Sequence, residues 1–469
     1  MAIEKSEDVT DPAVAAVLAA LHEALPATSI VTDPAELTEH GADRSGSSEG
    51  RAIALVRPAS TEEVQAVARI ANQHGVPIVP QGARTSLAGA ASAVRGAILL
   101  DFTRMGRILH IDPVERLAVV QPGVIVADLA RAVETEGLFY APDPLSAPWA
   151  TIGGTIATNA GGMRCIKYGV TRDSVRSLRI VLTDGSVIDT RRSTIKSVSG
   201  LDLTSLVVGS EGTLALVVEA TLSLRPAPGP SRGVQGLFGS IAEALAAANA
   251  IASAGSPPAV LEMLDDVALQ AIRGYDPSLE MPGEARAWLL AVSDAQAGGD
   301  AELEGFERAC AQHGALQTRR AENAEQLDRL FATRRALHPG MDAYLGGSLH
   351  GDVGVPRAAL SDFVARAAEL AQQFEVIISI GGHVGDGNLH PVIAYDADDA
   401  DQARRAHEAH DALLATAQGL GGTITGEHGV GTEKLHALDG ELSARVRELQ
   451  RAIKAAFDPN GILNPGTKI

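Results

Sequence analysis

The order of apolar and polar positions divides the chain at a run of prolines. Between residues 51 and 226, short apolar runs alternate with amphipathic segments, a pattern typical of strands separated by helices. The prolines of 225–231 can continue neither a helix nor a central strand, so we place a domain boundary there. The runs that predict strands in this first part lie at 76–80, 97–100, 117–120, 178–183 and 187–188.

One helix of this first part has both of its ends marked. Ser60 and Glu63 form a capping box ahead of apolar residues at helical spacing. Gly75 stands where the C-terminal cap of such a helix belongs. Further along, Asp184 and Gly185 predict a tight hairpin turn between two strands.

After the proline run the pattern changes to long alanine-rich helices separated by strand-like runs, which predicts an α+β domain. A further helix over 441–457 leads into a tail rich in turn signals. In this second part, helices are predicted at 240–254, 301–313, 358–373 and 399–418, and strands at 287–292 and 375–380.

Composition narrows the class of protein. A net charge of -19 and an aromatic content of 3% argue against nucleic acid as a partner. Two cysteines without a CxxC pair exclude an iron–sulfur cluster and suit a reducing cytoplasm. The first eight residues do not form a secretory signal, and no run reaches the roughly 20 apolar residues of a transmembrane helix. We therefore expect a cytoplasmic protein, with peripheral membrane association left open.

The first segment with candidate chemistry is 80–89, which follows a predicted strand. It combines small residues, hydroxyl groups and Arg84, and backbone N–H groups in such a turn form an anion-binding nest. It contains neither a Walker sequence nor a GxGxxG fingerprint. On this segment alone, an ordinary tight turn is the better account.

Two further segments have little side-chain volume. Segment 150–162 contains four glycines, three threonines and one asparagine, whereas a packed core needs volume. This favours backbone lying against a flat ligand, and a glycine-rich connector is the alternative. Segment 208–214, taken alone, is a turn between two strands.

Together these three segments resemble the FAD domain of the vanillyl-alcohol oxidase/p-cresol methylhydroxylase flavoproteins, over most of residues 30–226. The resemblance implies a two-part FAD-binding domain in which 80–89 binds the FAD pyrophosphate. Because 80–89 has no histidine, we expect noncovalent FAD, with Cys165 as a possible exception. The residues assigned to the cofactor are Pro80, Gln81, Gly82, Ala83, Arg84, Thr85, Ser86, Gly89, Pro142, Asp143, Thr151, Ile152, Gly153, Gly154, Thr158, Asn159, Gly161, Gly162, Tyr168, Gly169, Glu211, Gly212 and Asn464.

Three of the 13 histidines lie in glycine-rich turns of the C-terminal half. His383 and His390 flank a Gly-Asp-Gly-Asn turn, which can fold both imidazoles toward one point, and Glu427 and His428 follow in a second turn. Two histidines and one carboxylate form a recognised ligand set for a divalent metal ion. The alternative is that 386–388 is a plain hairpin turn.

These C-terminal segments resemble the D-2-hydroxy-acid dehydrogenase branch of the same family. That branch includes D-lactate dehydrogenase, the glycolate oxidase flavin subunit and D-2-hydroxyglutarate dehydrogenase. The resemblance implies that His383, His390 and Glu427 bind a metal ion, usually assigned as zinc. It also implies that His428 is the catalytic base.

The same resemblance suggests residues for the substrate. Arg334 would bind a carboxylate, which a guanidinium matches with two N–H groups, and Asn388 and Asn464 would be further substrate-binding residues. Phe331 replaces the tryptophan that usually precedes this arginine. His350 stands where the D-2-hydroxyglutarate enzymes carry lysine, which favours a small acid with a single carboxylate.

We therefore expect an FAD-dependent dehydrogenase that oxidises a D-2-hydroxy acid, with D-lactate as the best guess, to the 2-keto acid. D-2-hydroxyglutarate or glycolate is the alternative substrate. A non-redox flavin transferase of the alkyl-glycerone-phosphate synthase type and a flavin- or metal-binding protein without turnover are more remote alternatives. A separate electron acceptor is expected, either a quinone, a cytochrome or an electron-transfer flavoprotein, and a homodimer is left open.

The expected fold class is α+β: a two-part FAD-binding domain of p-cresol methylhydroxylase type and an α+β substrate (cap) domain with an antiparallel sheet. The expected domains are an FAD-binding domain over 1–226, a substrate (cap) domain over 227–420, and a segment over 421–469 that returns to the FAD domain and completes the active site.

Overall fold

The computed structural model describes residues 11–48, 50–279 and 281–469. The prediction that the first eight residues form no signal peptide lies outside these residues. The chain forms two units. The first contains 1–161, 169–227 and 427–469, and the second contains 162–168 and 228–426.

Short strands and short helices alternate along the first unit, and longer ones make up the second. The strands are β1 Ile30–Val31, β2 Ala54–Val56, β3 Ile78–Gln81, β4 Ile98–Asp101, β5 Ile108–Asp112, β6 Leu117–Val120, β7 Leu138–Phe139, β8 Val175–Val181, β9 Val187–Asp189, β10 Leu216–Ser223, β11 Arg225–Pro226, β12 Arg232–Phe238, β13 Val260–Leu264, β14 Ala287–Ser293, β15 Ala315–Ala321, β16 Gly346–His350, β17 Val353–Gly354, β18 Ile377–His383 and β19 Asn388–Asp396.

The helices range from single turns to one of 20 residues. They are α1 Pro12–Ala24, α2 Pro34–Glu39, α3 Thr61–His74, α4 Val126–Glu134, α5 Ile152–Thr158, α6 Cys165–Tyr168, α7 Thr171–Ser174, α8 Leu203–Val207, α9 Ile241–Ala252, α10 Asp266–Tyr275, α11 Gly299–Gln312, α12 Ala324–Arg335, α13 Leu337–Leu345, α14 Leu360–Phe374, α15 Ala400–Gly419, α16 Leu438–Glu441 and α17 Ala444–Phe457.

The first unit contains two larger sheets and a two-stranded pair. The four-stranded sheet has the order β1-β2-β4-β3, with parallel pairing of β4 to β2 and β3. The five-stranded sheet, β5-β6-β10-β8-β9, is antiparallel. Helices α1 and α3 pack on the first sheet through buried side chains such as Val17, Leu21 and Val64. The segment 80–89 begins at the carboxyl end of β3, where a parallel strand commonly presents a binding loop.

The second unit is built on one antiparallel sheet of eight strands. Its order is β15-β12-β14-β13-β18-β19-β16, and β17 pairs with β19. Trp288, Leu264 and Leu337 are fully buried in its core, where α10 and α13 pack on the sheet. The α+β fold class with an antiparallel sheet in the second part is therefore confirmed.

Most of the local predictions are confirmed. Glu63 N–H donates to Ser60 Oγ at 3.3 Å, and the Glu63 carboxylate accepts from Ala59 N–H at 3.0 Å. Gly75 caps α3 in the left-handed conformation. Gly185 turns the β8–β9 hairpin at a φ of 81°.

One predicted boundary is wrong, and one glycine-rich segment contains a helix that the sequence pattern does not predict. The helix predicted over 441–457 begins at Ala444, because Ser443 accepts from Val446 N–H and caps it there. Segment 150–162, interpreted as backbone lying against a flat ligand or as a glycine-rich connector, contains the helix α5. Thr151 caps α5 by accepting from Gly154 N–H at 3.1 Å, which offsets part of the cost of the glycines that disfavour a helix.

Among the described helices, none combines the length and the apolar character that a membrane crossing requires.

Candidate active site

One face of the second unit's sheet carries the predicted histidines. In the β18–β19 hairpin, His383 pairs with Asn388 and Gly381 pairs with His390. Paired residues, and residues two apart on a strand, project to the same face, so His383, Asn388 and His390 share one side. The two imidazole rings lie edge to face with their centroids 5.0 Å apart. Each ring has a nitrogen that could ligate a metal ion, and these two nitrogens lie within 4.8 Å of each other.

The turn between these strands explains how the two rings meet. Residues 384–387 form a tight hairpin, and Gly387 has a φ of 86° that favours glycine. A Cβ on Gly387 would lie 2.1 Å from Val355 O, so no larger residue fits. The segment is a hairpin turn, as the alternative stated, and the turn brings both histidines together.

A buried carboxylate joins His383 to the predicted substrate arginine. Because Met263 pairs with Gly382, Glu262 on β13 lies across from His383. Its Oε1 lies 2.5 Å from His383 Nδ1, and its Oε2 accepts from Arg334 Nε at 2.7 Å. Burial alone would raise the pKa of Glu262, but His383 and Arg334 hold that pKa below its usual value. Glu262 is therefore an ionised acceptor between two predicted site residues.

The Arg334 guanidinium is itself almost fully buried. Its side chain is 3% exposed, and its Nη2 has no hydrogen-bond partner among the described residues. A buried charged N–H group without a partner is costly, so this atom needs an explanation such as an anionic ligand. Arg334 lies in the last turn of α12, which Asn323 caps.

A second buried carboxylate, Asp352, organises the other end of the histidine pair. Its Oδ1 accepts from Asn388 Nδ2 at 2.6 Å and lies 3.8 Å from His390 Nδ1. Its Oδ2 accepts from Thr425 Oγ1 at 2.7 Å and from Gly426 N–H at 2.9 Å. The chain is therefore fixed against Asp352 at the residue before Glu427.

Glu427 and His428 begin the returning segment of the first unit. Glu427 Oε1 lies 3.9 Å from His428 Nε2, and both side chains are mostly buried. One peptide bond joins Glu427 to Gly426, and it spans about 3.8 Å between Cα atoms. In the second unit, His383 and His390 therefore stand beside carboxylates that hydrogen bonds hold in place.

A second pair of imidazoles joins α13 to β16. His338 is four residues beyond Arg334, and its Nδ1 lies 2.9 Å from His350 Nδ1. His350 Nε2 lies 3.0 Å from Ser348 Oγ, which also bonds Asp342. Because His350 pairs with Val392, it shares the sheet face of His390.

In the first unit, the three segments predicted to bind flavin come together. A Cβ on Gly82 would lie 2.2 Å from Thr151 Oγ1, and a Cβ on Gly212 would lie 2.3 Å from Pro80 Cγ. The backbone of Glu211 donates to Ala157 O at 2.8 Å. The small residues of these segments therefore permit close packing among the segments themselves.

The C-terminal tail reaches the same place. Residues 462–464 pair with β3: Ile78 N–H donates to Ile462 O, and Asn464 N–H donates to Ile78 O, both at 2.8 Å. Asn464 Nδ2 donates to Ala90 O and Glu211 O. The Glu211 carboxylate accepts from the backbone of Val430 and Gly431, so its side chain is engaged by the returning segment.

The other residues predicted to bind the cofactor lie in loops, in or beside the short helices α5 and α6, and after β7. Arg84 and Gly89 turn the 80–89 loop with φ of 55° and 79°. Asn159 ends α5 in the left-handed conformation, and its Oδ1 accepts from Arg172 N–H. Tyr168 belongs to the second unit, where its hydroxyl donates to Asp294 at 2.6 Å. The remaining predicted residues lie in the 80–89 loop (Ala83, Thr85, Ser86), after β7 (Pro142, Asp143), in α5 (Ile152, Gly153, Gly154, Thr158), and in the glycine turns around α6 (Gly161, Gly162, Gly169).

Two family models match this chain. One describes an FAD binding domain and matches residues 52–191, and the other describes the C-terminal domain of FAD linked oxidases and matches 234–467. The chain is 39% identical to glycolate oxidase subunit GlcD of Bacillus subtilis over 88% of each chain. The chain belongs to the FAD-linked oxidase family.

Other relatives of this FAD-linked oxidase carry different names. It is 33% identical to D-lactate dehydrogenase of Anaerostipes hadrus over 88% of each chain. It is 34% identical to D-2-hydroxyglutarate dehydrogenase of Stutzerimonas stutzeri over 98% of this chain and 99% of the relative. The solved structure of p-cresol methylhydroxylase covers 98% of both chains at a TM-score of 0.78 and 17% identity, which confirms the predicted fold.

The residues of the first unit fit the FAD that this oxidase family binds. Gln81 Nε2 donates to His40 O and Ala91 O, while Gln81 Oε1 is buried without a partner among the described residues. Asn464 Oδ1 is likewise buried without a partner among the described residues. Two buried carbonyl oxygens that lack donors, beside a glycine loop, suit a polar ligand that brings its own N–H and O–H groups.

Sequence reasoning missed Glu262 and gave no role to Asp352. A signal for Glu262 exists, since it is the one charged residue in the otherwise apolar run Val260–Leu264. A charge inside such a buried strand needs a partner, which marks the position as unusual. The identity of that partner depends on strand pairing, which the local pattern does not contain.

Proposed function

We propose that this FAD-linked oxidase oxidises a small D-2-hydroxy acid, with D-lactate as the best candidate, to the corresponding 2-keto acid. The observation that carries the proposal is the buried Arg334 guanidinium, whose Nη2 lacks a partner among the described residues. A carboxylate ligand would supply that partner with the geometry that a guanidinium prefers. The names of the relatives, which act on lactate, glycolate or 2-hydroxyglutarate, agree with such a ligand.

We propose His383, His390 and Glu427 as the ligands of a divalent metal ion, with zinc as the first candidate. Support comes from the two imidazoles on one sheet face and from the hydrogen bond that fixes Gly426, the residue before Glu427. Imidazole nitrogens and a carboxylate oxygen are the donor types that zinc prefers. When bound, such an ion would supply Lewis acidity that lowers the pKa of a substrate hydroxyl.

The residues then have separate tasks in the reaction. FAD, when bound, supplies the hydride acceptor. Arg334 holds the substrate carboxylate and thereby orients the carbon that bears the hydroxyl group. The His428 imidazole accepts the proton of that hydroxyl as the general base.

The choice of a small acid follows from the residue at position 350. A second carboxylate, as in D-2-hydroxyglutarate, would call for a second permanent cation. His350 stands where the D-2-hydroxyglutarate enzymes carry lysine, and an imidazole is not a permanent cation. This arrangement favours D-lactate or glycolate over a dicarboxylic acid.

A substrate panel tests the proposal directly. D-lactate, L-lactate, glycolate and D-2-hydroxyglutarate would be mixed anaerobically with the FAD-loaded enzyme, and bleaching of the visible flavin absorbance would be followed in a stopped-flow instrument. We expect D-lactate to reduce the flavin fastest. Faster reduction by D-2-hydroxyglutarate would contradict the substrate assignment, and failure of every acid would favour a non-redox transferase.

His428→Asn tests the base. It should slow flavin reduction by about 100- to 10,000-fold while FAD stays bound. His436→Asn, an exposed histidine of the same C-terminal segment, is the matched control and should reduce at the wild-type rate. Normal reduction in His428→Asn would refute the assigned role. Removal of metal by a chelator should also slow reduction, and added Zn²⁺ should restore it.

Where the electrons go next stays a prediction. We propose a separate acceptor, either a quinone, a cytochrome or an electron-transfer flavoprotein. Steady-state assays with each acceptor in turn would distinguish the three.

A further inference from the structure

Glu262 is a fully buried carboxylate in the middle of the apolar strand β13. Burial of an ionised carboxylate is costly unless both of its oxygens find good partners. Both do: Oε1 faces His383 Nδ1 at 2.5 Å, and Oε2 faces Arg334 Nε at 2.7 Å. One carboxylate therefore contacts a proposed metal ligand and the proposed substrate arginine at the same time.

The contact with His383 determines which ring nitrogen carries the proton. Glu262 already accepts from Arg334 Nε through Oε2, and a carboxylate paired with a guanidinium acts as an acceptor, so we assign the proton of the contact with Oε1 to His383 Nδ1. The lone pair of a neutral imidazole then lies on Nε2, the nitrogen left to ligate a metal ion. The strand register explains the contact between the two side chains, since the pairing of Met263 with Gly382 sets Glu262 across from His383.

The contact with Arg334 determines the direction of the guanidinium. The bond from Nε to Glu262 fixes one edge of the planar group. Nη2, on the remaining part of the group, is buried without a partner among the described residues. The guanidinium is therefore held in place by a residue that leaves N–H groups available to a ligand.

We propose that Glu262 is a positioning residue that fixes the metal-binding tautomer of His383 and the substrate-binding orientation of Arg334. The inference rests on the proposed function, because it assumes that His383 binds a metal ion and that Arg334 binds the substrate carboxylate. Glu262 itself touches neither the substrate nor the metal ion in this proposal.

A simpler role makes a different prediction. If Glu262 only neutralises the buried Arg334 charge, its replacement would lower stability and leave the affinity of folded protein for metal unchanged. A positioning role requires that metal affinity falls as well, because carboxylates that orient a ligating histidine typically contribute about 10- to 100-fold in affinity.

The first test compares Zn²⁺ affinity in the FAD-loaded wild type and Glu262→Gln, measured by competition with a chromophoric chelator. We expect binding to be about 10- to 100-fold weaker in the variant. The matched control is Asp265→Asn, which changes another buried carboxylate of the same unit, one bonded to Ser379 and the Ile380 backbone. It should bind Zn²⁺ within about twofold of wild type, the typical scatter for sites without shared partners. Equal affinity in Glu262→Gln and wild type would overturn the proposal.

A double-mutant cycle tests whether the effect passes through His383. If it does, adding Glu262→Gln to His383→Ala should cause little further loss of Zn²⁺ affinity. The same 10- to 100-fold loss in both backgrounds would overturn the proposed route. Steady-state kinetics of Glu262→Gln should also show a larger change in KM than in kcat for the 2-hydroxy acid, because Arg334 loses its orientation.

A measurement on the wild type covers the case in which Glu262→Gln does not fold. Long-range ¹H–¹⁵N spectra of protein labelled at histidine report which nitrogen of each ring is protonated, and His383→Ala assigns the signal. We expect His383 to carry its proton on Nδ1, and a proton on Nε2 would overturn the proposal. Wild-type protein that binds no Zn²⁺ would instead refute the proposed metal site, so the two failures are distinguishable.

Discussion

Replacement of Glu211 by Gln should destabilise the first unit by an amount that its hydrogen bonds predict. The carboxylate is 3% exposed. It accepts from Val430 N–H at 2.8 Å, Gly431 N–H at 2.7 Å and Lys468 Nζ at 3.0 Å. A glutamine amide keeps one oxygen but sets an NH₂ group against a donor, so at least one buried N–H loses its acceptor. Such a loss costs about 1–3 kcal/mol, and a weakened bond to a charged group adds a further 1 kcal/mol or so.

A total of about 3 kcal/mol corresponds to a lower melting temperature by roughly 6 to 12 °C for a unit of this size. Differential scanning calorimetry of the FAD-loaded protein would measure it. Lys468→Met is the control: its side chain is 29% exposed, so loss of that ion pair should cost at most about 1 kcal/mol. If Glu211→Gln melts within about 2 °C of wild type, the backbone bonds to Val430 and Gly431 do not stabilise the unit as argued.

Three further changes have clear expected outcomes. Arg334→Lys should raise KM for the 2-hydroxy acid by about 10- to 100-fold in steady-state assays, because lysine cannot pair with a carboxylate through two fixed N–H groups. An unchanged KM would exclude a contact between Arg334 and the substrate carboxylate. Burial raises the pKa of Asp265 to about 6, so the native state keeps that proton at pH values where the unfolded chain has released it. The free energy of unfolding should therefore fall by up to about 3 kcal/mol between about pH 4 and pH 7, and denaturant titrations should show this slope in wild type and lose it in Asp265→Asn. Gly82→Ala should weaken FAD binding by about tenfold, because the new Cβ would lie 2.2 Å from Thr151 Oγ1. The fluorescence of released flavin measures this loss. Unchanged retention of FAD would show that the 80–89 loop can shift freely.

The parts of the candidate site that sequence could predict are local ones. His383 and His390 are separated by one tight turn, and turn residues carry their own conformational signature. The pairing of Glu262 with His383 joins residues 121 positions apart. It depends on β18 lying beside β13 in the sheet, and strand order arises from packing of the whole unit.

The helix α5 shows a different limit of sequence reasoning. Its two interior glycines each disfavour a helix by about 1 kcal/mol relative to alanine, so the sequence pattern does not predict a helix over 150–162. Ile152 and Ile156, one turn apart, are both fully buried, and burial of each contributes about 1.5–3 kcal/mol. The free energy gained by burying these two side chains therefore exceeds the cost of the glycines in the helix. Close packing also requires glycine here, since a Cβ on Gly153 would lie only 2.7 Å from Pro122.

Two buried carboxylates flank the histidine pair on the second unit's sheet face. Glu262 and Asp352 are both fully buried carboxylates, and Arg334 is the buried guanidinium that balances the first of them. Asp352 accepts from Asn388, Thr425 and Gly426 and lies 3.8 Å from His390 Nδ1. Buried carboxylates cost free energy in a medium of low dielectric constant, and these hydrogen bonds and neighbouring rings offset part of that cost. The divalent ion proposed above would add positive charge beside these carboxylates, and it would explain why two histidines are buried edge to face where apolar side chains would pack at lower cost.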